Sequence, residues 1–371
     1  ILIPLGGIGQ RFKNSEYTIP KALIKVKGKE IIFHLLDNLK INSNISYIYI
    51  PYNKEYIEYN FETLIKQRYP NYKFKFLILK KQTEGAAETI LISLNKIIND
   101  NIRYPINLLQ MKEMFDKPIL CLDSDNFYEN DIINLWNGEN CVFTFYSRSD
   151  DAKFSYIKED ENNLITNIVE KEKISNKACC GAYGFSSYYD LAKYCNEIIR
   201  KNIRQKREFY TSGVIHYMLK NNVKFKNKSI DNKYYFSLGT PKQVKNFEYS
   251  FLLDLDGTLV NTDPIYIKVW DKILKEFNLS CDKSFFHSFI KGKSDVDFMY
   301  YLSSSISKDK IKEISLQKDE LFIHFLKKEE KNIVYPGVFD FFDNIQNSKI
   351  AIVTSCNKKA AEYILQYYDL E

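Results

Sequence analysis

The sequence has no Cys-x-x-Cys pair and no cysteine–histidine spacing of the metal-ligating kind; its seven cysteines are odd in number, and Cys179 and Cys180 are adjacent. Neither a disulfide framework nor a zinc site is expected, and a reducing, cytoplasmic setting fits best. No run approaches ~18 apolar residues, and the opening Ile-Leu-Ile-Pro-Leu-Gly-Gly is too short for the apolar core of a signal peptide, so no membrane partner is expected. Charge of one sign is not in large excess: 53 Lys+Arg against 47 Asp+Glu leaves +6 over 371 residues. That density is too dilute for a duplex-binding footprint, which argues against nucleic acid and is compatible with small anionic substrates. There is no internal repeat or low-complexity tract. Hydrophobic residues at 45% and charged residues at 27% exclude the disordered and fibrous classes. The oligomeric state stays open, a homo-oligomer included. The sequence opens on Ile1 rather than Met, so a few preceding residues are expected.

At ~150 residues per domain the length implies two or three domains, and the patterning shows where they divide. Apolar runs at Ile1–Leu5, Ser46–Pro51, Phe74–Leu79 and Pro118–Leu122 alternate with amphipathic stretches at Glu30–Leu39, Lys54–Arg68 and Ala86–Ile98. This rhythm predicts a parallel sheet covered by helices, with ligands at the carboxyl ends of its strands. After Cys141–Phe145 come shorter strand-like pieces (Phe154–Lys158, Ile165–Val169, Ala182–Phe185) and helices near Tyr189–Arg200 and Tyr210–Leu219, which predicts a mixed, substrate-facing half. A fresh strand at Phe251–Asp254, a helix-rich stretch and a strand at Ile350–Thr354 open a second domain. The predicted seam lies near Asn246–Ser250, giving domains 1–246 and 250–371.

The first strand runs into Gly6-Gly7-Ile8-Gly9-Gln10-Arg11-Phe12, followed by Pro20-Lys21-Ala22-Leu23. Glycines after a buried strand let backbone N–H groups approach an anion, and Arg11 and Lys21 supply counter-charge for phosphates. No Gly-Lys-Ser/Thr follows, so this is not a P-loop. Gly-x-Gly-x-Arg-Phe with Pro-Lys-x-Leu resembles the signature of the sugar-phosphate nucleotidylyltransferases. Further pieces arrive in that family's order: Gln82-Thr83-Glu84-Gly85-Ala86-Ala87, Leu122-Asp123-Ser124-Asp125-Asn126, Val169-Glu170-Lys171, Gly181-Ala182-Tyr183-Gly184-Phe185 and Leu238-Gly239-Thr240-Pro241.

The resemblance covers about residues 1–245 and implies a Rossmann-like α/β fold with a mixed sheet. It also implies roles. Leu5, Gly6, Gly7, Gly9, Gln82 and Gly85 would bind the nucleotide, with Gln82 facing a pyrimidine edge. Asp125, a better choice than Asp123, would hold Mg²⁺. Glu170 and Gly181 would meet the sugar, and Lys171 its phosphate, while Arg11, Lys21 and Lys171 form the catalytic apparatus. Many relatives carry an acid where this chain has Ser237, which leaves a second metal ligand unassigned; Asp231 is too distant in sequence to nominate.

Phe251-Leu252-Leu253-Asp254-Leu255-Asp256-Gly257-Thr258-Leu259-Val260 is an apolar strand ending in two carboxylates two apart. It resembles the first motif of the haloacid dehalogenase superfamily. The resemblance implies Asp254 as nucleophile, Asp256 as general acid/base, both near Mg²⁺, Thr354 on the phosphoryl group, and a helical cap at about 264–332. The lysine and acids that such a site needs after its second motif have no counterpart before Glu371; Lys358 and Lys359 read as surface charges opening a helix. The expectation is therefore a domain truncated at its carboxyl side, with the sequence continuing further.

Together these readings imply Mg²⁺-dependent transfer of a nucleotidyl group from an NTP, CTP or UTP/dTTP favoured, to a sugar- or polyol-phosphate. The joined phosphatase-type domain suggests a role in activated precursors for surface polysaccharide, by analogy. The alternatives are a protein whose phosphatase is the main activity and a non-catalytic nucleotide-sensing or scaffolding protein.

Overall fold

Residues 1–5 lie extended between two neighbours: the N–H of Ile3 donates to Tyr49 O and that of Leu2 to Leu120 O, at 2.9 and 2.8 Å. Both flanking strands run parallel to this segment. Leu2 and Ile3 are fully buried and Leu5 nearly so, as expected of a central strand covered on both faces. The computed structural model describes residues 1–15, 17–101, 108–148, 152–329, 332–345 and 348–370. The chain divides into two compact units, Ile1–Tyr249 with Asp340–Ser348 and Ser250–Phe339 with Lys349–Glu371.

In the first unit, a two-residue hairpin of β1 (Lys25–Val26) and β2 (Lys29–Glu30) precedes the buried helix Ile31–Asn38. The parallel pair β3 (Ile48–Asn53) and β4 (Phe74–Leu79) lies on one side of the opening segment, and β5 (Ile119–Leu122) on the other. Beyond β5 the sheet becomes mixed. β5 is followed by the short β6 (Asn126–Tyr128), β7 (Cys141–Tyr146), β8 (Ser155–Glu159), β9 (Ile165–Glu170) and the nine-residue β10 (Lys177–Phe185). β10 pairs antiparallel with β5, β7 and β8, and β8 with β9. β11 (Lys226–Ser229) joins β7 in parallel. Parallel in its first half and mixed in its second, the sheet has the predicted character.

One local reading needs correction. The stretch Lys54–Arg68 is two elements, a 3-10 segment Lys54–Tyr59 and a helix Phe61–Arg68, because Asn60 between them is left-handed at φ 50°. Asn tolerates that conformation better than most residues. The antiparallel pair formed by β6 and β12 (Tyr235–Ser237) was not foreseen, being only three residues long on each side. Nor was the helix Pro241–Glu248, started by a Thr240 hydroxyl that accepts from Gln243 N and by proline in its first turn.

The second unit contains the parallel pair β13 (Ser250–Leu253) and β14 (Lys349–Ile352). Its helices Asp263–Leu274, Asp295–Leu302 and Lys308–Leu326 fall within the predicted cap; positions 330 and 331 of that span lie outside the described residues. The cap has its own core. Trp270 meets Phe298 edge-on with ring centroids 5.0 Å apart, and Tyr266 stacks on Phe322 at 4.4 Å. Ile273 and Leu274 are buried, whereas Phe277 falls past the helix in a 3-10 turn ended by left-handed Asn278. The seven cysteines are free. Among the described residues no helix is long and apolar enough to cross a membrane.

Phe298 is 1% exposed, so Phe298→Ala removes a whole aromatic side chain from this core and is expected to cost about 3–5 kcal/mol. A urea midpoint read from Trp270 emission, with Trp136 replaced by phenylalanine, measures it; a loss under ~1 kcal/mol would place Phe298 outside the core.

Candidate active site

The carboxyl ends of the first unit's strands carry the residues singled out above, as a doubly wound sheet requires. β5 ends at Leu122, and the next residues are Asp123, Ser124 and Asp125; β9 ends on Glu170. These side chains meet in one cavity of about 620 Å³, lined among others by Arg11, Asp123, Asp125, Glu170, Lys171 and Gly181.

Asp125 receives Lys21 Nζ on Oδ2 at 2.5 Å, a partly buried ion pair between residues 104 apart in sequence. The second strand pair holds it there, since Leu238 N donates to Asp125 O at 2.7 Å. Asp123 lies deeper, its N–H bonded to Gly181 O at 2.8 Å. Burial first, and the neighbouring Asp125 second, push its carboxyl up to about 8, against the pull of Lys21. Neither aspartate caps a helix. Gly181 has φ +79°, and a Cβ there would sit 2.3 Å from Asn126 Nδ2 and 2.6 Å from Asp123 Oδ2. Gly239 is similarly pressed against Asp125, where a Cβ would reach 2.8 Å from Oδ2. Both carboxylates are thus walled by backbone that admits no side chain.

These walls and oxygen donors fit Mg²⁺, a hard cation that takes one or two protein carboxylates and completes its shell with water and substrate phosphate. Among the described residues there is no group of three or more His, Cys, Asp or Glu placed for a metal, so the site would rest on Asp123 and Asp125. Asp123, ranked second from the sequence, has a place beside Asp125. Ser237 lines the same cavity, while Asp231 caps the 3-10 segment Asn232–Tyr234 and pairs with Lys233.

Glu170 is 7% exposed and is not part of a solvated charge run. Its Oε2 accepts from the hydroxyls of Ser155 and Ser212, the latter at 2.9 Å. Successive residues of a strand point to opposite faces, so Glu170 and Lys171 should diverge. They do not, because Lys171 follows β9 with φ +51° and turns back to line the same cavity. A left-handed lysine costs roughly 1–2 kcal/mol; the N–H of Lys171, bonded to Phe154 O at 2.9 Å, holds it in place. Its Nζ donates to Tyr210 OH at 2.8 Å.

Arg11 lies in the short helix Gln10–Lys13 and, among the described residues, makes no hydrogen bond or ion pair. Leu5, Gly6, Gly7, Gly9, Gln82 and Gly85 stand outside the cavity lining. Gly6 packs where a Cβ would strike Thr89 Oγ1 and Thr83 Oγ1, at 2.2 and 2.6 Å, and a Cβ on Gly85 would strike the backbone of Phe209 at 2.5 Å. Gln82 is exposed. Ser155, Tyr210 and Ser212 had no marker in the sequence, since their contacts to Glu170 and Lys171 are made by folding alone.

In the second unit, Asp254 follows β13, is exposed, and among the described residues accepts only a long 3.4 Å bond from Thr258 Oγ1. Asp256 is held by Thr262 Oγ1 at 2.6 Å and Thr354 Oγ1 at 3.4 Å. Thr354 therefore touches the second aspartate of the motif. Among the described residues neither aspartate makes an ion pair. Lys358 opens the helix Lys358–Tyr367 and pairs with Glu362 on its surface.

Residues 1–228 match the family model described as nucleotidyl transferase, and residues 251–371 that described as haloacid dehalogenase-like hydrolase. A bifunctional protein GlmU from Methanococcus vannielii is 25% identical over 210 residues, 56% of this chain and 44% of that protein. One from Methanococcus maripaludis is 26% identical over 172 residues, 46% of this chain and 35% of that protein. The chain thus spans less than half the length of the curated relatives it matches. Among solved structures, a nucleoside-diphosphate-sugar pyrophosphorylase from Vibrio cholerae shares the fold at a TM-score of 0.57 and 18% identity, over 67% of this chain and 98% of that one.

Gly181→Ala is expected to cost about 2–4 kcal/mol, from the clash with Asp123 and the left-handed backbone together. Gly7, where a Cβ would meet nothing within 4 Å, should accept alanine within about 0.5 kcal/mol. Denaturant midpoints of the two variants compare them, and equal losses would refute the packing described for Asp123.

Proposed function

Given that the chain belongs to the nucleotidyl transferase family, we propose that its first unit transfers a nucleotidyl group from an NTP to a sugar- or polyol-phosphate and releases pyrophosphate. The observation that carries this reading is the convergence of Arg11, Asp125 with its Lys21 partner, Glu170 and Lys171 on one cavity. In such a transfer an oxygen of the acceptor phosphate attacks the α-phosphorus, the bond to the β-phosphate breaks, and pyrophosphate leaves with the bonding pair. The protein's part is positioning and charge neutralisation. Asp123 and Asp125 would hold Mg²⁺, which when bound neutralises phosphate oxygens. Arg11, without an internal partner among the described residues, is free to meet the NTP phosphates. Lys171 faces the acceptor phosphate, and Glu170, pinned through Oε2, turns Oε1 toward an acceptor hydroxyl beside the Lys171 ammonium, 4.0 Å away.

The base is expected to be a pyrimidine. Gln82 has no hydrogen-bond partner among the described residues, so its amide keeps a donor and an acceptor for a base edge. The product class, a nucleotide-linked sugar or polyol, suits precursors of surface polysaccharide. For the second unit we propose hydrolysis of a phosphomonoester by Asp254, the exposed aspartate, with the threonine-held Asp256 as acid and base.

Pyrophosphate release, followed with each of four NTPs, Mg²⁺ and a panel of sugar and polyol phosphates, is expected with CTP or UTP/dTTP; preference for ATP or GTP refutes the base assignment, and no release with any refutes the transfer. Lys21→Ala and Asp125→Asn should each lower turnover by about 10²–10³-fold without changing the circular dichroism spectrum, and unchanged rates would remove both from the chemistry. Because no cation among the described residues pairs with Asp254 or Asp256, the 371-residue chain should hydrolyse p-nitrophenyl phosphate close to background. Robust hydrolysis abolished by Asp254→Asn would show that the chain already supplies the missing charge.

A further inference from the structure

The segment just before the helix Thr211–Lys220 touches two groups of residues that the sequence keeps far apart. It begins as a tight turn in which Gln205 and Glu208 bond to one another, with Lys206 and Arg207 both left-handed at φ 46° and 78°. Phe209 then joins the loop around Gly85 through its backbone. Its N–H donates to Glu84 O at 3.1 Å and its carbonyl accepts from Ala87 N at 2.9 Å. The Arg204 guanidinium covers the Phe209 ring at 4.0 Å and bonds Glu84. The next residue, Tyr210, accepts from Lys171 Nζ at 2.8 Å, and the same ammonium lies 4.9 Å from its ring centroid. Two residues on, Ser212 donates to Glu170 at 2.9 Å.

We propose that Tyr210 is a positioning residue that holds the Lys171 ammonium toward the acceptor phosphate, on a strap whose preceding residue is bonded to the nucleotide-side loop. The role rests on the acceptor-phosphate reading of Lys171 above. A lysine ammonium has three N–H donors on a flexible four-carbon stem. Tyr210 takes one donor at 2.8 Å and the ring face limits the stem, while Glu170 Oε1 lies farther off at 4.0 Å, so the remaining donors can turn to phosphate oxygens. Holding the ammonium before the substrate arrives removes part of the ordering cost that would otherwise weaken binding. The strap does not touch Arg11, Lys21 or Asp125 through any of these bonds, so its loss should fall on the acceptor and not on the nucleotide.

Tyr210→Phe keeps the ring and removes the hydroxyl. The KM for the acceptor phosphate is expected to rise about tenfold, with kcat and the KM for the NTP within about twofold. Ser212→Ala should give the same pattern through Glu170. Independently of turnover, acylation of Lys171 by an amine-reactive ester, read by peptide mass spectrometry against the exposed Lys358, should quicken by about threefold or more in Tyr210→Phe as the ammonium is released. Unchanged acylation overturns the proposal, as does an unchanged acceptor KM or an equal rise in both KM values. Absence of pyrophosphate release from the unsubstituted protein would refute the transfer reading instead, and the acylation comparison would still decide whether Tyr210 holds Lys171.

Discussion

Asp123, Asp125 and Glu170 are among the carboxylates that line one cavity, and much of the first unit's arrangement follows from making that tolerable. Burial first, and the neighbouring Asp125 after it, raise the proton affinity of Asp123. Each of the three is answered differently. Asp125 has an ammonium from a remote turn, and Glu170 has two serine hydroxyls with the Lys171 ammonium 4.0 Å away. Asp123 has backbone packed against it through Gly181. A cation binding beside Asp123 and Asp125 would lower the remaining electrostatic cost, so the same feature that strains the site favours a divalent metal.

The answering groups also govern local conformation. Lys171 can face the cavity beside Glu170 only by leaving the extended region, and its left-handed backbone is the visible cost. Such strain persists where surrounding contacts determine it, here the bond to Phe154 O and the contact with Tyr210. Gly85 shows the reverse dependence. The family resemblance implies that Gly85 binds the nucleotide, and in the structure the backbone pressed against it is that of Phe209. The loop's shape is set by the chain itself before any ligand binds.

The second unit poses a similar problem with fewer answers. Asp256 is fixed by two threonines, one on each carboxylate oxygen, while Asp254 stays exposed with one long hydrogen bond. Fixing one acid and freeing the other is compatible with the proposed division between a proton donor and a nucleophile. The hydrolysis proposed for this unit would need positive charge beside Asp254, and among the described residues none pairs with either aspartate.

Strand and helix order was legible in the sequence because burial imposes a period of two or 3.6 on apolar residues, and β4, β5, β9 and the helix Ala86–Asn101 fall close to where that period places them. The motif residues Arg11, Lys21, Asp125, Glu170, Lys171, Asp254 and Asp256 stood out in the sequence through their resemblance to two families, and the structure places the first five at or beside one cavity or its Lys21–Asp125 ion pair. What only the tertiary structure decided is partnership: Lys21 with Asp125, Ser155 and Ser212 with Glu170, Tyr210 with Lys171, Thr354 with Asp256. It also separated Asn60 and Lys171 from the regular elements around them, since a single left-handed residue leaves no periodic trace. Sequence spacing carries the forces that act along one element, whereas contacts between residues 15 to 104 positions apart exist only after burial has brought their elements together.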